Sequence, residues 1–233
     1  MPQETCGGDA PRTDPLLYRE PVRGREYWIL DGALDDPFGV AQRCVTKPTW
    51  LLGSPWRAEA WPGMRAPDAL TPHELAALEG RVASLLGVRR LGVVPDPGTG
   101  MTANNWVQLV GGGEGVARPH VDSAKLCTHA GVLYLHPYPP TVHCGTSFYR
   151  LKLPDGRLGG NVCPPDYDSI SQIPGLREME PGQWQEEVEV PYEFNRLLVY
   201  RSDIVHSATA YFGSAYELAS KRMAIVFFWW AER

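Results

Sequence analysis

A mainly β fold of the α+β kind, a double-stranded β-helix (jelly-roll) core with N-terminal support helices, is what this chain predicts, and three observations predict it. The one long amphipathic helical pattern comes early, and from residue 104 onward the period changes to short β-branched and aromatic runs broken by turns. Gly (24), Pro (22) and Trp (8) are abundant, which favours turns and sheet over a helical bundle. With 233 residues, 43% of them hydrophobic, the chain can bury one sizeable core, so a single domain over 1–233 is expected. Within it, 1–21 reads as a loosely ordered lead-in, 22–103 as helical and loop support, and 104–233 as the jelly-roll core.

The elements follow in order. Residues 26–31 are aromatic and β-branched and end in Asp31-Gly32, a strand and its turn. Acidic Asp35 and Asp36 before Pro37 open a short helix through Arg43. From Trp50 to Pro67 the density of Trp and Pro forbids a regular helix or a central strand. That stretch reads as a packed loop or pocket rim, with Pro62-Gly63 turning so that Arg65 projects, by the simplest reading, into solvent. Thr71 as N-cap, Pro72 in the first turn, Glu74 closing a capping box and Gly87 as stop define the clearest helix. Its face of Leu75, Leu78, Val82, Leu85 and Leu86 is buried, whereas His73 lies on the surface. Strands are expected at 105–110, 127–135, 146–151, 188–190, 196–200 and 221–230. The Gly111–Gly115 run lacks a following Lys-Ser/Thr and helix, so it is a flexible connection and not a phosphate loop. Residues 153–183 form an irregular, polar loop of roughly thirty residues, long enough to suggest a functional cover over a site.

Composition excludes several functions. A net charge of −5 without a basic stripe argues against a nucleic-acid partner. No apolar run is long enough to span a membrane and the first residues do not read as a leader, so a cytoplasmic protein is expected. Five cysteines (6, 44, 127, 144, 163) without CxxC spacing predict reduced thiols, with neither a disulfide framework nor a zinc site.

The chemistry sits in His120-Val-Asp122. On an extended strand an imidazole and a carboxylate at i and i+2 share a face and can converge on one metal ion. A second imidazole, His206, ends the β-forming run that carries Asp203. Two His and one carboxylate on one face of an octahedron leave three positions open, the set associated with non-heme Fe(II) oxygenases. His129, His136 and His143 straddle a strand and a Pro-rich turn, share no face, and predict no second cluster.

Taken in order, His120-Val-Asp122, Tyr134, Cys144-Gly-Thr146-Ser-Phe148, Asp203-Ile-Val-His206-Ser and Arg222 resemble the Fe(II)/2-oxoglutarate-dependent dioxygenase superfamily, closest to its prolyl-hydroxylase-like branch. The resemblance covers residues 104–230, about half of the chain. It implies that His120, Asp122 and His206 hold Fe(II) and are catalytic. It further implies that Tyr134, Thr146 and Arg222 form the co-substrate site, where phenol and guanidinium hold the 5-carboxylate of 2-oxoglutarate. The implied reaction consumes O₂ and 2-oxoglutarate, releases succinate and CO₂, and hydroxylates an unactivated C–H bond. Desaturation and ring closure use the same iron site, while retention of Asp122 argues against a halogenase. The chain departs from the family pattern in having Cys144 before Gly-Thr, and in placing Arg222 sixteen positions after His206. Residues 209–219 must therefore loop out. Lys221 competes with Arg222, and since both parities of the last strand are apolar, alternation does not separate them; the motif favours Arg222.

A small or amino-acid-like substrate, as in secondary metabolism, is the first expectation, and a peptidyl or carrier-bound residue the second. The rival readings are a cupin-like metal enzyme that uses the triad without 2-oxoglutarate, and a non-catalytic ligand-binding jelly roll. Oligomeric state is not readable.

Overall fold

Alternation decides which way each strand of this protein faces, and the computed structural model, which describes residues 14–54, 61–96, 98, 100–122, 124–178 and 180–232, shows both faces of its main sheet in use. The elements run β1 (Tyr27–Leu30), α1 (Pro37–Val45), β2 (Leu51–Leu52), β3 (Met64–Ala66), α2 (Pro72–Leu86), β4 (Arg90–Gly92), β5 (Trp106–Val110), β6 (His129–Tyr134), β7 (Thr146–Leu151), β8 (Trp184–Val190), β9 (Leu197–Arg201), β10 (His206–Ala208) and β11 (Arg222–Glu232). A large sheet has the order β1-β9-β6-β11-β5-β3-β2, with β4 also on β11, and a small one has the order β10-β7-β8. His120 extends the small sheet through an antiparallel bridge to His206. From β5 on, the chain passes between the sheets at every step except the β7–β8 hairpin, which is the winding of a double-stranded β-helix.

The outer face of the large sheet, carrying Val107, Leu109, Leu133, Val199, Met223, Ile225, Phe227 and Trp229, packs with Leu78 and Val82 of α2 and Val40, Ala41 and Cys44 of α1. The predicted capping box is present: Thr71 takes the Glu74 N–H, and Glu74 takes the Thr71 N–H at 2.8 Å. Gly87 closes the helix in the left-handed conformation, φ 65°. The inner face meets the small sheet through Ala130, Phe148, Val190, Leu198, Tyr200 and Ile204. A third cluster lies behind the small sheet. There Ile170, Ile173, Leu176 and Trp184 pack on Val121 and Val205, the neighbours of the predicted ligands.

Four expectations are corrected. The lead-in is packed from residue 14 on: Leu16 is buried, Leu17 bridges to Val162, and Arg19 pairs with Glu26 and Asp203. Residues 1–13, including Cys6, lie outside the described residues. The Trp- and Pro-rich stretch is not all loop, because Met64–Ala66 pairs with β5 on the sheet flank. Arg65, expected in solvent, is 4% exposed. Among the described residues of the 153–183 segment none lines the pocket at the triad, so the segment packs behind the strands that carry His120, Asp122 and His206 and does not cover that pocket.

Gly111–Gly115 is also held: the Gly112 N–H donates to Gly213 O at 2.8 Å, and Glu114 pairs with the buried Lys221. Among the described residues, Cys44, Cys127, Cys144 and Cys163 form no disulfide and are buried. No helix among the described residues is long and apolar enough to cross a membrane.

Candidate metal centre and its pocket

The backbone brings the two histidines together. His120 and His206 exchange both N–H···O bonds, at 3.0 and 2.9 Å, and so stand directly opposite on neighbouring antiparallel segments. The Asp122 N–H donates to Ser202 O at 2.9 Å, fixing the carboxylate two residues further on. The ring centroids of His120 and His206 lie 4.4 Å apart. The ligand atoms of His120, Asp122 and His206 all fall within 4.8 Å of one another, the one such group of three among the described residues.

The nitrogens are sorted by their neighbours. His206 Nδ1 lies 2.9 Å from Ile204 O and His120 Nδ1 lies 2.6 Å from Arg118 O, so in each ring the Nδ1–H is donated to a carbonyl and Nε2 keeps its lone pair for a metal. The Tyr200 hydroxyl donates to that His206 Nε2 at 2.9 Å. Burial, followed by the nearby Asp122 charge, pushes the Tyr200 phenol well above its ordinary range, so it stays protonated. The Trp61 ring meets His120 edge-on at 4.6 Å, and the Arg118 guanidinium lies over the Trp61 ring at 4.1 Å while pairing with Glu178.

The triad lines a pocket together with Trp61, Arg65, Gln108, Thr146, Tyr200, Tyr211 and Arg222, with Leu126, Val132, Val226 and Phe228 as its apolar part. The parity question on β11 resolves here. Arg222, Val226 and Phe228 face the pocket, whereas Met223, Ile225 and Phe227 face the helices. Arg222 is 3% exposed and donates through Nε to Cys144 O (2.9 Å) and through an Nη to Gly145 O (3.1 Å). Lys221 turns away to Glu114.

Thr146 lines the pocket, but Tyr134 stands one layer behind it. The Tyr134 hydroxyl donates to Thr146 Oγ1 at 2.8 Å, and its ring stacks on Tyr192 at 4.6 Å. Burial pushes the phenol up to about 12. The expected insertion at 209–219 does loop out; it contributes Tyr211 to the pocket and returns through the Arg222 N–H bonded to Phe212 O at 3.0 Å. Sequence reasoning missed Tyr200, Tyr211 and the inward turn of Arg65. Only Tyr200 carried a signal, its even spacing from Leu198 along a strand.

No protein-family model and no curated protein matches the sequence. Among solved structures the chain is similar to the non-heme alpha ketoglutarate dependent epimerase SnoN from nogalamycin biosynthesis, at 17% identity over 89% of this chain and 78% of that one, TM-score 0.49. It is also similar to a Pseudomonas putida prolyl-4-hydroxylase, at 14% identity over 89% and 93%, TM-score 0.44. A third is HygX from Streptomyces hygroscopicus, solved with nickel, 2-oxoglutarate and hygromycin B, at 12% identity over 89% and 83%, TM-score 0.42.

Proposed function

We propose that this chain is a non-heme Fe(II)/2-oxoglutarate-dependent oxygenase, hydroxylating an unactivated C–H bond of a small or amino-acid-like substrate. The observation that carries the reading is the convergence of His120, Asp122 and His206 within 4.8 Å in a buried pocket that also presents the Arg222 guanidinium. The donor set fits ferrous iron: two imidazoles with Nδ1–H tied to backbone carbonyls and one carboxylate, all approaching from the small-sheet side. Fe(II), 2-oxoglutarate and O₂ together supply the oxidising power for C–H hydroxylation, with succinate and CO₂ released.

The remaining work belongs to the chain's own residues. Arg222, anchored by the Cys144 and Gly145 carbonyls, is held to meet the remote carboxylate of 2-oxoglutarate. Thr146 adds a hydroxyl at that point, and Tyr134 orients it from behind. Leu126, Val132, Val226 and Phe228 keep water from the reacting centre.

Anaerobic addition of Fe(II) and 2-oxoglutarate tests the reading: a weak visible charge-transfer band is expected, and in air one succinate per O₂. Metal binding without that band would favour a metal enzyme that does not use 2-oxoglutarate. Alanine at His120, Asp122 or His206 should abolish iron binding while the fold survives, and iron binding retained by all three variants would sink the assignment. A product gaining one oxygen atom separates hydroxylation from desaturation or ring closure.

A further inference from the structure

Among the described residues that line the pocket there is one carboxamide, Gln108, which faces it from β5 and pairs with Ala224 on β11 and Arg65 on β3. Other polar side chains there are engaged: Thr146 with Tyr134, Tyr200 with His206, and Arg222 with the Cys144 and Gly145 carbonyls. Among the described residues nothing hydrogen-bonds the Gln108 amide, and the small methyl of Ala224 beside it leaves room for a ligand. The Tyr211 and Ser54 hydroxyls also face the pocket, but a hydroxyl rotates to donate or to accept. A carboxamide does not adapt in this way. It sets a fixed acceptor beside a fixed donor and so dictates what it meets.

The place of Gln108 separates it from the co-substrate. Along the inner face of β11 the order is Arg222, Ala224, Val226, Phe228, and the Phe228 row leads through Ala130 to Tyr200 and so to His206. Gln108 is therefore level with a point between Arg222 and the metal ligands, one strand to the side. Between its keto acid and its remote carboxylate 2-oxoglutarate carries only methylenes, which leave an amide at that level unmatched. The flank on which Gln108 stands is that of β3, and Trp61, just before β3, meets the His120 ring at 4.6 Å. A molecule held by Gln108 thus lies on the His120 side of the site.

Resting on the oxygenase reading for the place of the co-substrate, we propose that Gln108 recognises the primary substrate through a neutral group that donates and accepts side by side, namely a cis-amide or a vicinal diol. A carboxylate would satisfy only the Gln108 NH₂ and set an oxygen against its carbonyl, and an ammonium would satisfy only the carbonyl. An analogue lacking either half of the match strips water from the amide without replacing its hydrogen bond, and is rejected for that reason.

The test titrates the full chain with small rings that differ only in this group. The probes are 2-pyrrolidinone and a vicinal cyclopentane diol, and their controls, each lacking a donor, are N-methyl-2-pyrrolidinone and cyclopentanol. Saturation-transfer NMR reads binding, both in the metal-free protein and in protein loaded with Zn(II) and 2-oxoglutarate, which does not turn over. One probe should bind about tenfold more tightly than its control, and which one does so assigns the group as amide or diol. Gln108→Leu should bring that probe down to its control, yet leave the 2-oxoglutarate dependence of the Fe(II) charge-transfer band within about twofold. Thermal unfolding is followed in parallel, and Gln108→Met, which keeps the chain length without the amide, decides if Gln108→Leu does not fold. Equal binding of probes and controls by the wild type, or the wild-type preference retained in Gln108→Leu, would overturn the proposal. Loss of 2-oxoglutarate affinity in Gln108→Leu would do the same, by placing the amide in the co-substrate site. Absence of the band in the wild type is a different failure, that of the oxygenase reading, and the contrast in metal-free protein then decides the Gln108 subsite by itself.

Discussion

Two adjacent cations, Lys221 and Arg222, are both almost fully buried, and the strand that carries them sends one to a carboxylate and the other to a pocket. Their substitution should therefore separate stability from binding. Lys221→Met strands Glu114 and should cost roughly 3 kcal/mol, the low end for a broken buried pair because Glu114 stays partly in water. It should leave 2-oxoglutarate affinity nearly unchanged. Arg222→Gln should weaken 2-oxoglutarate by about 100-fold, or roughly 3 kcal/mol, read from titration of the charge-transfer band. Tyr200→Phe probes the metal-free state: the hydroxyl on His206 Nε2 is lost, so the chelator-treated protein should lose about 1–2 kcal/mol while the metal-loaded form loses less, compared by thermal unfolding. The His120–Asp122 pair was legible because its spacing is local, whereas His206, far along the chain, was legible from its place at the end of a β-forming run and from the order of the motifs. Arg222 was legible only through the motif, since β11 is apolar on both faces: one packs on helices and the other lines the pocket. Arg65 was misread because its direction is set by pairing with Gln108, forty-three positions away, which no local pattern records.

At the scale of elements, the open end of the β7–β8 pair, where Gly145 enters β7 and Val190 ends β8, carries a close approach that explains the Cys-Gly-Thr sequence. A Cβ on Gly145 would lie 2.0 Å from Val190 O, so only glycine lets the two segments meet, and its own carbonyl then receives Arg222. Gly145→Ala should lower the melting temperature by about 6–12 °C, corresponding to roughly 3 kcal/mol, and weaken 2-oxoglutarate at the same time. Helix α2 was readable to the residue because cap, first-turn proline and stop act within one segment. The 153–183 segment was not, because its length suggested a cover, whereas Ile170, Ile173 and Leu176 send it behind the small sheet to press on Val121 and Val205. Its packing thus supports the segments that carry His120, Asp122 and His206 from behind.

For the molecule as a whole, acid is the weak side. Burial, and then the Arg201 charge, hold His129 at about 4 against an ordinary 6.5, so the folded protein takes up its proton later than the unfolded chain does. The neutral form is favoured on folding, so this stability is complete above about pH 6.5 and declines as pH falls toward 4, by about 3 kcal/mol in all. Chemical denaturation across that range should show the decline, and His129→Asn should flatten it. Loaded with metal and 2-oxoglutarate, the protein should unfold about 2.7 kcal/mol higher at a hundredfold excess over Kd, by mass action.

The last strand in the chain, β11, lies between β5 and β6 and so fills the middle of the large sheet, not its rim. On the ribosome, both flanks are consequently made long before the strip that joins them, and the cavity has no floor until residues 222–232 emerge. A nascent chain halted before residue 222 should stay protease-sensitive through the 104–208 region, while release of the following ten residues should confer resistance in a single step.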